Sequence, residues 1–146
     1  MKEDEVYLVQ TDTTVGFLSS SPKKLNSIKN RPKNKHILIT TTTFKTLKTL
    51  ARVPKKFKKE VRRTKKTTFI YPNKKAVRVV KQSNHDSFLK EFDYLYSTSA
   101  NENKKAFDKD FALKKADIIV EDARGFDDKT PSKLIRLSKS VKKKLR

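Results

Sequence analysis

Lys29-Asn30-Arg31 places two cations two residues apart, where a short helical segment must give way to extended chain ahead of Pro32. At that spacing both side chains can lean to one side and clamp a phosphate or carboxylate, the guanidinium as a bidentate fork and the ammonium as a point charge. The same pair also reads as solvated cations favourable to a helix C-terminus. Ser97-Thr98-Ser99-Ala100-Asn101, if extended, lines Ser97, Ser99 and Asn101 along one face just past a strand end, where open α/β sheets bind their ligands. The alternative there is a Ser/Asn turn that satisfies its own backbone. In Thr11-Asp12-Thr13-Thr14, Asp12 either meets a magnesium-bound phosphate or closes an Asx turn. His36, in an apolar run, reads as a core or sheet-face residue, and His85 beside Asp86 as helix-start polarity. No HxxxH, no acid pair with a supporting histidine and no GxSxG elbow occurs.

Several chemistries are excluded outright. The sequence has no cysteine, which removes disulfides, thiolate nucleophiles and iron–sulfur clusters. Its two glycines, Gly16 and Gly125, are too far apart to build a P-loop or a dinucleotide turn, so a bound phosphate must be held by side chains or helix N-termini. The 146 residues carry 37 Lys and Arg against 16 Asp and Glu, for a net charge of +21. From Lys23 to Lys81 there are 21 basic residues and a single acid, Glu60, while the remainder is nearly neutral. A one-sign field of this kind attracts polyanions, nucleic acid or nucleotide phosphates foremost, although lysine-rich chains also carry solvated lysines on every exposed face. Only 34% of residues are hydrophobic, against roughly 45–50% in ordinary globular chains, and mean hydropathy is -0.80. A thin core and a single domain are expected. With no long apolar run and no apolar stretch behind Met1–Glu5, neither a membrane span nor a secretory signal is expected, and the expected compartment is the cytoplasm. Among the aromatic residues of the basic stretch, helical spacing makes Phe44 and Phe57 core, while strand positions leave Phe69 and Tyr71 able to stack bases.

The elements that must position these residues interleave. Strands are predicted at Glu5–Gln10, His36–Thr41, Thr67–Tyr71, Ala76–Val80, Tyr94–Thr98, Asp117–Val120 and Lys133–Leu137. Ser21-Pro22 opens a helix that ends near Asn30, and Phe44, Leu47 and Leu50 share a second helical face. Pro54 opens a third helix, Asn84 or Asp86 caps a fourth bearing Phe88, Leu89 and Phe92, and Asp108–Ala116 suits a fifth. TDTTVG, Pro72-Asn73 and SAN read as turns, and Lys142–Arg146 as a frayed basic tail. Such interleaving predicts an α/β fold: a single-domain twisted, mixed parallel and antiparallel open sheet flanked by helices.

Taken in order, QTDTTVGF at Gln10–Phe17, KNRP at Lys29–Pro32, TTFIYP at Thr67–Pro72, AVRVV at Ala76–Val80, STSAN at Ser97–Asn101 and PSK at Pro131–Lys133 form one succession. It resembles the YrdC-like family of threonylcarbamoyl-adenylate synthases, whose pattern runs PTDTVYGL, KxR, PGPxT, AVRxP, STSANxSG and PST. The resemblance covers nearly the whole chain and implies a YrdC-like domain over residues 1–138 followed by a basic tail at 139–146. It further implies a basic concave cleft that binds ATP with Mg2+, L-threonine and bicarbonate. The implied product is threonylcarbamoyl-AMP, which a partner complex uses to modify adenosine in tRNA. Carried over, Lys29 and Arg31 hold the nucleotide phosphates, with Ser99 and Asn101 facing them across the cleft; these four are the implied catalytic set. Thr11, Thr13, Thr68, Arg78, Ser97 and Ser132 form the implied nucleotide- and substrate-binding set, and no resident metal ligand is implied. The chain departs from the pattern at Gln10, Val15, Thr64-Lys65-Lys66, Val80 and Asn103-Lys104. These departures bear on adenine and threonine packing more than on phosphate contacts. A divergent member that binds nucleotide or RNA, including double-stranded RNA or tRNA, without making the adenylate is the alternative.

Overall fold

The computed structural model describes residues 5–11, 13–32, 36–81, 88–101, 107–120 and 131–146. In chain order its elements are β1 (Tyr7–Gln10), β2 (Val15–Ser19), α1 (Pro22–Ile28), β3 (Leu38–Thr41), α2 (Phe44–Leu50), a 3-10 turn (Lys55–Phe57) and α3 (Lys58–Arg63). There follow β4 (Thr67–Ile70), β5 (Ala76–Val79), β6 (Leu95–Ser99), α4 (Lys109–Lys115), β7 (Ile118–Val120), β8 (Lys133–Leu137) and β9 (Lys142–Lys144). The chain folds as two compact units, one from residues 1–37 and 95–131, the other from residues 38–94 and 132–146.

In the first unit the strand order is β7-β1-β2-β6. β1 pairs antiparallel with β2 and parallel with β7, and β2 pairs antiparallel with β6. Leu8, Val15, Phe17, Leu25, Ala100 and Ala112 are buried together, and Phe111 meets Phe17 edge-on at 6.2 Å between ring centres. α1 starts as its residues dictate: Ser21 caps the backbone N–H of Lys24 and Pro22 occupies the first turn. Asp108 caps α4 by accepting from the N–H groups of Asp110 and Phe111.

In the second unit the order is β3-β5-β4-β8-β9. β3 with β5 and β4 with β8 are parallel, whereas β4 with β5 and β8 with β9 are antiparallel. Thr43 caps α2 through the N–H of Thr46, and Leu47, Phe57 and Val61 turn inward. The strands of each unit therefore mix the two senses, as the interleaved sequence pattern predicts.

Some expectations need correcting. Val15–Ser19 is a strand, because the Thr11–Thr14 turn closes a hairpin with Gln10 opposite Val15. Residues 142–144 are not a frayed tail: they pair with Leu137, Arg136 and Ile135 as β9. His36 is exposed ahead of β3 and belongs to no core. Phe69 and Tyr71 are buried at 3% and 2% exposure, so neither offers a face on which a base can stack. Phe88 and Leu89 are buried, while the expected cap at Asn84 or Asp86, together with His85, lies outside the described residues. No helix among the described residues is long and apolar enough to cross a membrane.

Candidate functional site

α1 ends in a turn that aims two cations. Asn30 adopts φ 53°, its N–H bonds the carbonyl of Ser27, and the N–H of Arg31 reaches back to the carbonyl of Asn26 at 2.9 Å. That pair of bonds is a Schellman motif, with Lys29 as the C-cap, Asn30 in the left-handed position and Arg31 next to it ahead of Pro32. Asparagine is among the few residues that accept the left-handed conformation at modest cost.

The Lys29 side chain is buried and donates to the carbonyl of Ser99 at 3.0 Å, to Oδ1 of Asn101 at 2.9 Å and to Oγ of Ser99 at 3.4 Å. Ser99 Oγ donates in turn to the same Asn101 oxygen. Ser99 and Asn101 thus touch Lys29 directly rather than facing it at a distance. Arg31 Nη2 donates to Thr98 Oγ1 at 3.4 Å, and its buried Nε–H has no hydrogen-bond partner among the described residues. Burial pushes the Arg31 guanidinium below the usual arginine range, as expected for a cation stripped of part of its water.

β6 delivers the oxygen side of this cluster. Its register sets Gly16 of β2 opposite Ser99, Phe17 opposite Thr98 and Leu18 opposite Ser97. A Cβ on Gly16 would lie 3.0 Å from Cγ2 of Thr11 and 3.3 Å from the carbonyl of Thr98, so glycine is what lets β2 approach the cluster. Ser97 is buried on β6. Thr11 and Thr13 are also buried, and they serve their own turn: Thr11 Oγ1 donates to the Thr14 carbonyl and accepts from the N–H of Thr13 at 3.1 Å. Asp12 lies outside the described residues.

The other expected residues belong to the second unit. Thr68 and Ser132, both buried, share a hydrogen bond of 2.9 Å between their hydroxyls. Arg146 donates from Nε to the Ser132 carbonyl at 2.9 Å and from Nη2 to its hydroxyl at 3.4 Å. Arg78 is buried on β5 opposite Thr40 of β3. Sequence reasoning missed Thr98 and Arg146. Thr98 lies within the STSAN run and was available to it, whereas Arg146 is recruited only because the chain beyond β8 turns back to pair.

The donor set around Lys29 is two cations with hydroxyl, amide and carbonyl oxygens. Among the described residues no three His, Asp or Glu side chains gather to hold a metal ion. An ammonium at the centre of the cluster has the wrong sign for a divalent cation, so these residues fit an anion and do not fit a resident metal.

The whole chain, residues 1–146, matches the Sua5/YciO/YrdC family model, described as "Telomere recombination". Among solved structures it superposes on P. abyssi Sua5 complexed with L-threonine with a TM-score of 0.76 at 19% identity, covering 98% of this chain and 50% of that one. E. coli YciO gives 0.76 at 17% identity, with 98% and 82% covered. Full-length HypF in its phosphate- and nucleotide-bound form gives 0.76 at 12% identity, with 98% and 27% covered. The chain therefore spans about half the length of the Sua5 structure it matches. Identities at this level show a shared fold. No curated protein sequence matches significantly.

Proposed function

This chain belongs to the Sua5/YciO/YrdC family, and on that premise we propose that it condenses ATP, L-threonine and bicarbonate to L-threonylcarbamoyl-AMP. The product would serve threonylcarbamoyladenosine formation in cytoplasmic tRNA, through a partner complex that takes over the adenylate. The observation that carries this reading is Arg31. Its guanidinium is partly desolvated, retains a buried N–H without a hydrogen-bond partner among the described residues, and stands two residues from a lysine whose ammonium is fixed by three oxygens. A bound phosphate satisfies that N–H and repays the desolvation.

In the reaction, the threonine amine and bicarbonate combine with loss of water to a carbamate. A carbamate oxygen then attacks the α-phosphorus of ATP, and pyrophosphate leaves. Little covalent work falls to the protein: Lys29 and Arg31 position the phosphates and stabilise the growing negative charge, with Ser99 and Asn101 holding the ammonium in place. In the first unit Thr11, Thr13 and Ser97, and in the second Thr68, Arg78 and Ser132, are each proposed as nucleotide or substrate contacts. Magnesium enters as part of the nucleotide substrate. The P. abyssi Sua5 complex with L-threonine and the nucleotide-bound HypF support these ligand classes.

A second reading, binding of nucleotide or RNA without turnover, is favoured by the motif departures, of which Gln10 is buried where the pattern has proline. One experiment separates the two. Product from ATP, threonine and labelled bicarbonate, lost in Lys29→Ala/Arg31→Ala, supports the synthase. ATP binding by folded protein without product overturns it in favour of the binding protein.

A further inference from the structure

Within the second unit, α2 and α3 enclose a pocket of about 360 Å³, near the lower end of the roughly 300–1,000 Å³ usual for ligand sites. Phe44, Leu47, Ala51, Val53 and Val61 make its apolar lining. Lys48 and Arg52 line it from the α2 side, Lys58 and Arg62 from the α3 side, and all four cations are exposed. The pocket thus has a carbon floor between two cationic walls.

Its surroundings carry one sign. Between Phe44 and Lys66 the sequence has eleven Lys and Arg and a single acid. That acid, Glu60, is engaged by Lys142 at 2.7 Å. Lys81 Nζ stands 4.4 Å from the Phe44 ring centre and Arg62 6.0 Å, and Lys81 also bonds the Arg62 carbonyl. Burial chiefly, and the charge of Lys65 in addition, hold the Lys81 ammonium below the ordinary lysine range.

We propose that this pocket is a contact site for single-stranded RNA, taking one unpaired nucleobase on its apolar floor while the cations on either wall hold the flanking phosphates. A polynucleotide supplies what the pocket lacks in the right order: one planar ring with a phosphate on each side. Arg52 and Arg62 add guanidinium planes on which a base can stack. A small anion would use two or three of these cations, whereas eleven along one segment match a repeating charge. The site shares no residue with the Lys29 and Arg31 cluster and does not depend on the synthase reading.

The test is binding of a short single-stranded RNA to the full chain, followed by fluorescence anisotropy, with ATP binding measured in parallel. Arg52→Glu/Lys58→Glu changes two exposed side chains, so the protein stays folded; it should weaken RNA binding at least tenfold and leave ATP affinity unchanged. Replacing single bases by abasic sites should weaken wild-type binding by about five- to a hundredfold at the position that enters the pocket. A photoreactive uridine at that position should crosslink within Phe44–Arg62. RNA affinity unmoved by the double variant overturns the proposal. So does indifference to abasic substitution, which would mark a plain charge patch, and so does tighter binding of poly-glutamate than of RNA, which would mark an acidic protein partner.

Discussion

At the scale of single residues, the aim of Lys29 and Arg31, the proposed phosphate clamp, depends on Asn30. At φ 53° a β-branched side chain is strained. Asn30→Val should cost roughly 1–2 kcal/mol of stability, and Asn30→Gly should be close to neutral, as read from urea midpoints at constant slope. Because the turn also directs Lys29 and Arg31, the valine variant should weaken ATP binding where the glycine variant does not. The spacing of the two cations was legible in the sequence, since Pro32 forces the helix to end. Their oxygen partners were legible only as a polar run: nothing local says that Lys29 bonds residues seventy and more positions away.

At the scale of elements, β9 is the instructive case. Its three lysines are exposed and the strand exists by pairing with β8, extended by bonds between Leu134 and both Leu145 and Arg146. An edge strand needs no apolar face, and lysines on it discourage further pairing, so a lysine run that reads as tail is compatible with a strand. Removing residues 139–146 should destabilise the protein by about 2–4 kcal/mol, a few ladder hydrogen bonds at about 0.5–1.5 kcal/mol each, measurable by thermal or urea unfolding. Just past β4, Tyr71 is buried and its hydroxyl is pushed well above its usual value of 10.0. A raised folded-state value means that the contribution to stability is intact below pH 10 and is lost as pH rises beyond it, at up to about 1.4 kcal/mol per pH unit. Tyr71→Phe should therefore flatten the alkaline fall in stability. β2 escaped sequence reading because Gly16 resembles the end of a turn, whereas its role is to let β2 lie close to Thr11 and Thr98.

At the scale of the whole molecule, +21 net charge sets two opposed responses to salt. Self-repulsion among the cations opposes compactness, so added salt should raise the melting temperature. The same screening should weaken RNA binding by about 10³–10⁵ between roughly 50 and 200 mM salt if six to ten phosphates are contacted. Unfolding and anisotropy titrations over one salt series check both; a flat binding response would show that the charge serves no polyanion.

Composition, order and spacing by themselves determined that any bound phosphate would have to be held by side chains or helix N-termini, that the basic field lies between Lys23 and Lys81, that strands and helices interleave, and that the motif succession is family-specific. These follow from covalent and local facts: absent cysteine, scarce glycine, proline positions and period. Tertiary structure alone decided which oxygens hold Lys29, that Phe69 and Tyr71 are buried, that Arg146 joins Ser132 and Thr68, and that α2 and α3 leave a cation-walled pocket. Most of these depend on pairing between segments far apart in sequence, and the pocket on how two neighbouring helices pack; register and burial are fixed by packing that no local pattern encodes.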